Sequence, residues 1–141
     1  MKIASLIAGK RVETISSSAT VHDLVNVLSI HHVGALVVSP DGKKIEGIVS
    51  ERDIVRAMPG KLDEIVNMRV RDLMTADVIT CTPNSTVAEL MTTMTEQRVR
   101  HVPVVDESGH LISIVSIGDV VKAHIVDLDT ERKALADYVN S

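Results

Sequence analysis

Residues 47–53 read Gly-Ile-Val-Ser-Glu-Arg-Asp, and residues 113–119 read Ser-Ile-Val-Ser-Ile-Gly-Asp. In both stretches an apolar, strand-like run ends at a serine, and an aspartate follows three positions later. A Ser-x-x-Asp pair is typical of a helix N-terminus, where the two residues exchange hydrogen bonds with each other's backbone. Each stretch therefore predicts a strand that runs directly into a helix, and the two aspartates stand 66 positions apart.

The same 66-residue spacing relates most of the chain to itself, and no gap is needed between Val12 and Met58. The matched pairs include Thr14 and Thr80, Thr20 and Thr86, Leu24 and Leu90, Val33 and Val99, Val38 and Val104, and Asp53 and Asp119. This period is too long for a solenoid unit, and two copies are too few for an array. We therefore expect a pseudo-symmetric pair in which each copy covers the apolar face of the other.

Each copy has the pattern strand, helix, strand, strand, helix, which predicts an α+β fold. In copy one, Val12–Ile15 is an extended run, Thr20 begins a helix, and a hairpin of two strands leads to Ser50. In copy two, Val78–Cys81 is the extended run that corresponds to the first strand. The predicted organisation is repeat 1 over residues 1–60, a connector over 61–69, repeat 2 over 70–125, and a C-terminal helix over 126–141.

The composition argues against several classes of protein. The 141 residues carry a net charge of −4 without any Lys/Arg run, and Tyr138 is the sole aromatic side chain, so neither duplex nor single-stranded nucleic acid is an expected partner. No apolar run approaches the length of a membrane span, and the start of the chain lacks the long apolar core of a signal peptide. The single cysteine, Cys81, excludes an intrachain disulfide, and we expect a cytoplasmic protein.

The doubled Ser-x-x-Asp is the strongest candidate for chemistry. A helix N-terminus with a serine hydroxyl suits a phosphate, and a nearby carboxylate suits two vicinal hydroxyls, so Ser50 with Asp53 and Ser116 with Asp119 suggest a ribose phosphate. The alternative is that both pairs are helix caps only. That alternative stays open at the level of spacing, because Thr20 and Thr86 begin capping boxes without any such role.

Two longer stretches resemble the CBS domain, a family named after cystathionine beta-synthase. Residues 33–38 (Val-Gly-Ala-Leu-Val-Val) with 47–53 resemble one domain, and residues 98–106 (Arg-Val-Arg-His-Val-Pro-Val-Val-Asp) with 114–119 resemble a second. The resemblance reaches to about Ala123, and a tandem pair of this kind is called a Bateman module. It implies a β-α-β-β-α fold for each copy, sheets that pack against each other, and clefts between the copies that bind AMP, ADP, ATP, NAD(H) or S-adenosylmethionine.

The resemblance also implies roles for individual residues of this chain. Ribose hydroxyls would lie on Asp53 and Asp119, and phosphate on Ser50 and Ser116. Adenine would be flanked by Gly34, Ala35 and Leu36 and by His101, Val102 and Pro103, with backbone near Thr14 and Thr80 at its edge. The copies differ where repeat 1 has Arg52, a possible phosphate ligand, and repeat 2 has Gly118, which would admit a ligand closely. The two sites are therefore predicted to be related but not equivalent.

The remaining candidates are weaker. His31 and His32 are adjacent and point apart on a helix, so no metal site is expected, and no nucleophile–base pair suggests an enzyme. We expect a homodimer, with the helices around Val25–Leu28 and Met91–Met94 as candidate surfaces. A regulated protein, which the sequence does not identify, is a further candidate partner. The leading hypothesis is a non-enzymatic sensor of adenine nucleotides without a catalytic cofactor, and the alternative is a scaffold for structure or protein interaction that binds no ligand.

Overall fold

The computed structural model describes every residue from Met1 to Ser141 and has the mixed helix and strand content that the repeat predicts. In chain order its elements are α1 (Ala4–Ile7), β1 (Thr14–Ile15), α2 (Val21–His31), β2 (Ala35–Val38), β3 (Gly47–Ser50), α3 (Glu51–Ala57), α4 (Val70–Leu73), α5 (Val87–Gln97), β4 (His101–Val105), β5 (Leu111–Ser116) and α6 (Ile117–Asn140). A single 3-10 turn, Ile65–Asn67, lies in the connector. Both repeats therefore have the expected order of elements, except that no strand precedes α5 in repeat 2.

Each repeat has its own small sheet, and the sheets are unequal. In repeat 1 the order is β1-β2-β3, with β1 parallel and β3 antiparallel to β2. In repeat 2 only β4 and β5 pair as strands, and the predicted extended run Val78–Cys81 contributes one bridge, from Cys81 to Val104. The first strand is thus shorter in repeat 2 than its sequence suggests.

The helices after the first strands begin and end in the same way in both repeats. The side chains of Thr20 and Thr86 accept hydrogen bonds from the backbone three residues on, which completes the predicted capping boxes of α2 and α5. Both helices end at a left-handed residue, His32 with φ 52° and Arg98 with φ 54°. Glycine is usual at this position because a β-carbon is strained there. Both side chains are thus placed at the turn that leads into the next strand.

Each repeat has a separate apolar core, and the segments that precede the repeats are exchanged between them. Ile3 is fully buried in the core of repeat 2, and its amide donates to the carbonyl of Ser85 at 2.9 Å. Val70 is fully buried in the core of repeat 1, and its amide donates to the carbonyl of Ala19 at 2.8 Å. This exchange ties the repeats together, because each core is completed by the chain that leads into the other repeat.

Gly47 of β3 lies against the segment that follows α4, and the close approach of that segment requires a glycine at this position. Ile48 and Thr75 exchange backbone hydrogen bonds of 2.9 Å in both directions, so the segment lies along the edge of β3. A β-carbon on Gly47 would lie 2.8 Å from the carbonyl oxygen of Thr75, closer than side chains tolerate. The corresponding residue of repeat 2, Ser113, is buried, and its hydroxyl has no hydrogen-bond partner.

The C-terminal helix differs from its prediction. The sequence suggests one helix that ends repeat 2 and a further terminal helix, but the structure joins them in α6, which runs unbroken over 24 residues. The joint between Ala123 and Asp129 contains no glycine or proline, so no residue there ends the helix. No helix of the chain, α6 included, is long and apolar enough to cross a membrane.

Candidate ligand-binding clefts

Both Ser-x-x-Asp pairs form complete capping boxes. The amide and hydroxyl of Ser50 donate to Oδ2 of Asp53 at 2.8 and 3.0 Å, and the amide of Asp53 donates back to the serine hydroxyl at 3.4 Å. The corresponding distances for Ser116 and Asp119 are 3.0, 2.9 and 3.3 Å. In each pair the hydrogen bonds use Oδ2 alone, so Oδ1 of each aspartate is left to accept from another group. The aspartates therefore cap helices and keep one free acceptor atom.

The first cleft, here called cleft A, contains Ser50 and Asp53 and has a volume of about 240 Å³. Its other lining residues are Gly34, Ala35, Ile48, Glu51, Arg52, Arg56, Thr75, Arg98, Val99, Arg100 and His101. The Ser-x-x-Asp pair comes from repeat 1, whereas the run from Arg98 to His101 belongs to repeat 2. Cleft A is therefore a site that neither copy can form by itself.

The second cleft, cleft B, contains Ser116 and Asp119 and has a volume of about 380 Å³. Its other lining residues are Lys10, Arg11, His32, Val33, Gly34, Ala35, His101 and Ile114. The run from His32 to Ala35 is the counterpart of residues 98–101, at the same 66-residue spacing. The two clefts are thus pseudo-symmetric, and each combines the Ser-x-x-Asp of one repeat with the end of the first long helix of the other.

Cleft A is rich in arginine without matching ion pairs. Four guanidinium groups line it, from Arg52, Arg56, Arg98 and Arg100. None of the four lies within 4.0 Å of a carboxylate oxygen, since the ion pairs of the molecule all lie elsewhere. The carboxylates of Glu51 and Asp53 only partly offset this charge. An unpaired arginine cluster in a cleft suits an anionic ligand, because guanidinium groups bind phosphate with two parallel hydrogen bonds.

In cleft B the aspartate already has a cationic partner. Nζ of Lys10 lies 2.7 Å from Oδ2 of Asp119. Burial raises the pKa of the Asp119 carboxyl, but the hydrogen bonds from Lys10 and Ser116 outweigh burial and leave this pKa below its usual value. Both side chains are about one-third exposed, so the pair is a modest interaction that a ligand can displace.

His101 lies where the two clefts meet and lines both of them. Burial lowers its pKa below the usual value, against the opposing charges of Glu51 and Asp119. A β-carbon on Gly34 would lie 3.3 Å from Oε1 of Glu51 and 3.5 Å from Cε1 of His101. Gly34 thus leaves the junction open, and the imidazole beside it is neutral near pH 7.

The structure brings together most of the residues that the sequence singles out. Ser50, Arg52 and Asp53 line cleft A, Ser116 and Asp119 line cleft B, and Gly34, Ala35 and His101 line both. The others lie apart from the clefts. The side chains of Leu36, Val102 and Pro103 are buried in the sheets, Thr14 is in β1, Thr80 is exposed, and Gly118 lies in a shallow groove on α6.

Sequence reasoning missed the basic residues that distinguish the clefts. Arg56, Arg98 and Arg100 in cleft A, and Lys10 with Arg11 in cleft B, have no assigned role in the sequence analysis. The repeat could have identified Arg100 as a cleft residue, because Arg100 occupies the position in repeat 2 that Gly34 occupies in repeat 1. No sequence pattern could have identified Lys10, since it approaches Asp119 only because the start of the chain packs against repeat 2.

Two β-α-β-β-α units that share a pair of clefts define a tandem-repeat module. The family model of the CBS domain matches residues 4–60 and again residues 70–125, so the chain belongs to the CBS-domain family. A curated relative, the mitochondrial CBS domain-containing protein CBSX3 of Arabidopsis thaliana, is 39% identical over 124 residues, which are 85% of this chain and 60% of that protein. The chain therefore spans less than two thirds of this relative's length.

Solved structures agree with this assignment. A CBS-domain protein of Agrobacterium tumefaciens is 38% identical and superimposes with a TM-score of 0.82, covering 88% of this chain and 99% of that one. A CBS-domain protein of Pyrobaculum aerophilum, solved in complex with AMP, is 28% identical with a TM-score of 0.77 over 92% of this chain and 99% of that one. The fold predicted from the repeat is thereby confirmed.

Proposed function

We propose that this protein is a non-enzymatic regulatory module that binds an adenine nucleotide in cleft A. The candidate ligands are AMP, ADP, ATP and NADH. The observation that carries the proposal is the free Oδ1 atom of Asp53 beside four arginines without ion pairs. Asp53 would accept hydrogen bonds from the hydroxyls of a ribose, and the arginines would bind the phosphate that the ribose carries.

The lining of cleft A suits each part of the nucleotide. The ribose hydroxyls would donate to Asp53, and the phosphate would lie among the guanidinium groups and the hydroxyl of Ser50. Adenine would lie against Ala35, Ile48 and Val99, and the imidazole of His101 is the one aromatic ring in the cleft. The binding energy would then come largely from the sugar and phosphate, which predicts a strong dependence of affinity on salt.

Relatives support an adenosine ligand. The Pyrobaculum protein described above was solved in complex with AMP. A second related structure, CBSX2 in complex with AMP, is 26% identical and superimposes with a TM-score of 0.67. Neither relative fixes the ligand of this chain, whose arginine cluster also suits a longer phosphate chain.

Cleft B is proposed as the weaker site. Lys10 binds Oδ2 of Asp119, the atom that the capping box also uses, and its positive charge offsets that of the carboxylate. Ribose hydroxyls would therefore bind the free Oδ1 of Asp119 less strongly than that of Asp53. Cleft B would thus bind a nucleotide with lower affinity than cleft A, or a smaller anion on Lys10 and Arg11.

Calorimetric titration of the purified chain with AMP, ATP and NADH tests the proposal. We expect saturable binding of at least one of them, abolished or strongly weakened by Arg98→Ala with Arg100→Ala. Because the chain has one tyrosine and no tryptophan, a co-purified nucleotide would also dominate the absorbance near 260 nm. Failure of all three ligands to bind at low salt would reject the nucleotide function.

The alternative is a scaffold that binds no ligand, and the completed capping boxes favour it, because they explain both Ser-x-x-Asp pairs without a nucleotide. The scaffold alternative leaves the four unpaired arginines unexplained.

A cytoplasmic location remains a prediction from the sequence, and the Arabidopsis relative is named as mitochondrial. Fractionation of the source cells would decide the compartment.

A further inference from the structure

His101 is the one titratable side chain that the two clefts share. It begins β4, and its imidazole lines both cleft A and cleft B. Gly34 and Ala35 also line both clefts, but neither side chain can carry a charge. A proton on His101 therefore changes the charge of both clefts at once.

The imidazole of His101 has no fixed partner in the protein. The side chain is half-buried, and its ring nitrogens make no hydrogen bond to another residue. No carboxylate oxygen lies within 4.0 Å of these nitrogens, since every ion pair of the molecule lies elsewhere. Both nitrogens are thus free to exchange a proton with solvent or to donate to a ligand.

Charged groups face this ring from each element around it. Glu51 of α3 and Asp119 of α6 favour the imidazolium, whereas Arg100 opposes it. Oε1 of Glu51 and Cε1 of His101 both lie within 3.5 Å of the place that a β-carbon on Gly34 would take. The other charged or titratable lining residues are Arg52, Asp53, Arg56 and Arg98 in cleft A, and Lys10, Arg11 and His32 in cleft B.

This environment disfavours a proton on His101 while the clefts are empty. Burial lowers the pKa of the imidazole below its usual value. The cationic side chains of the clefts also outnumber the carboxylates, six to three. A phosphate reverses the balance, because it brings close to two negative charges and an opposite charge nearby favours the protonated ring. An anion that binds in either cleft therefore draws a proton onto His101.

We propose that His101 links the binding of a nucleotide in either cleft to the uptake of a proton, and that the shared imidazolium couples the two clefts. This inference rests on the proposed nucleotide function and adds pH as a second signal. By linkage, a ligand whose binding takes up a proton binds more tightly as pH falls. One proton changes the affinity by at most about tenfold for each pH unit.

The coupling between the clefts has a definite sign. At about pH 7.5 an imidazole is neutral, so the first phosphate must bring a proton onto His101. The second phosphate then meets an imidazolium that is already formed, which gives positive cooperativity. Below about pH 5 the ring is protonated before any ligand binds, and this cooperativity disappears.

Proton NMR of the imidazole tests the linkage directly, with inorganic pyrophosphate as the anionic probe. The signal of the proton on Cε1 is assigned by its loss in His101→Gln. We expect saturating pyrophosphate to raise the pKa of His101. His110 lines neither cleft, so its signal is an internal control that should not respond to the anion. A pKa of His101 that stays unchanged with pyrophosphate would overturn the proposal.

Calorimetry with ATP in two buffers of different ionisation enthalpy measures the protons taken up on binding. Wild type should take up more protons at pH 7 than His101→Gln, and its affinity relative to that variant should rise several-fold between pH 7.5 and pH 6. The phosphate titrates near pH 6 in both chains, so the difference isolates His101. His110→Gln is the matched control and should behave like wild type.

Two further results separate the linkage from simple packing and from the nucleotide function. His101→Phe keeps an aromatic ring but cannot take up a proton, so it should lose the extra proton uptake as His101→Gln does. If ATP binds to wild type, His101→Gln and His101→Phe with equal proton uptake, the linkage is wrong and the nucleotide function stands. If no nucleotide binds, the proposed function fails, and the response of His101 to pyrophosphate still decides the linkage.

Discussion

Replacing Asp53 by alanine separates its role as a helix cap from its role as a ligand. In the free protein Asp53 accepts two hydrogen bonds from Ser50, at 2.8 and 3.0 Å. Loss of a cap costs about 1 kcal/mol of the free energy of unfolding. If ribose hydroxyls bind the same carboxylate, losing hydrogen bonds to a charged acceptor costs a further ~1.5–3 kcal/mol of binding free energy. That loss corresponds to about a ten- to hundredfold weaker affinity for AMP.

A matched control exists in the α5 capping box. Glu89 accepts the amide of Thr86 at 3.2 Å, in the same capping geometry, but lies outside both clefts. Glu89→Ala should therefore destabilise the fold by about as much as Asp53→Ala and leave AMP binding unchanged. Comparing the two variants removes the effect of cap loss from the binding result.

The assay is denaturant unfolding followed by circular dichroism, with and without AMP, because the chain has no tryptophan to report. At a ligand concentration of about one hundred times Kd, wild type and Glu89→Ala should gain about 2.7 kcal/mol from the ligand. For a hundredfold weaker Asp53→Ala the gain at that concentration falls to about 0.4 kcal/mol by the same relation. Equal gains for Asp53→Ala and Glu89→Ala would refute the assignment of ribose to Asp53, and the capping role would then suffice.

Three further predictions follow from individual contacts. Lys10→Met should free the carboxylate in cleft B and raise the stoichiometry of AMP in calorimetry from one towards two per chain; an unchanged stoichiometry would contradict the view that this ion pair weakens cleft B. Gly47→Ala should cost about 1–3 kcal/mol in denaturant unfolding because its β-carbon meets the carbonyl of Thr75, whereas Gly118→Ala, on an exposed helix turn, should be neutral or slightly stabilising. Because burial lowers the pKa of His101 in the fold, the unfolded state binds its proton first, so the free energy of unfolding should fall as pH drops from 7 towards 5; His101→Gln should flatten that dependence, and an unaltered slope would exclude His101 as its source.

Much of the fold follows from the sequence because the responsible interactions are local. The capping boxes at Thr20, Ser50, Thr86 and Ser116 involve residues three positions apart, so their pattern is visible in the chain and all four form as predicted. The 66-residue repeat likewise predicts two equivalent units. The boundary predicted between residues 125 and 126 is wrong, because the chain there has no glycine or proline to end the helix and α6 continues through it.

The assembly of the clefts lies beyond such local rules. Sequence comparison finds Ser50 with Asp53 and Ser116 with Asp119, but each pair meets lining residues from the other repeat, about half the chain away. Their approach depends on how the two cores pack and on the exchange of Ile3 and Val70 between them, which no short-range pattern encodes.

The sequence by itself determined that this protein has two repeats with a capping Ser-x-x-Asp in each, since hydrogen bonds between near neighbours and apolar periodicity specify both. Only the tertiary structure decided which charges face each aspartate. It places unpaired arginines beside Asp53 and a bound Lys10 on Asp119. The physical reason is that a side chain's electrostatic partners are set by distance in space, and packing of the exchanged segments brings distant parts of the chain together.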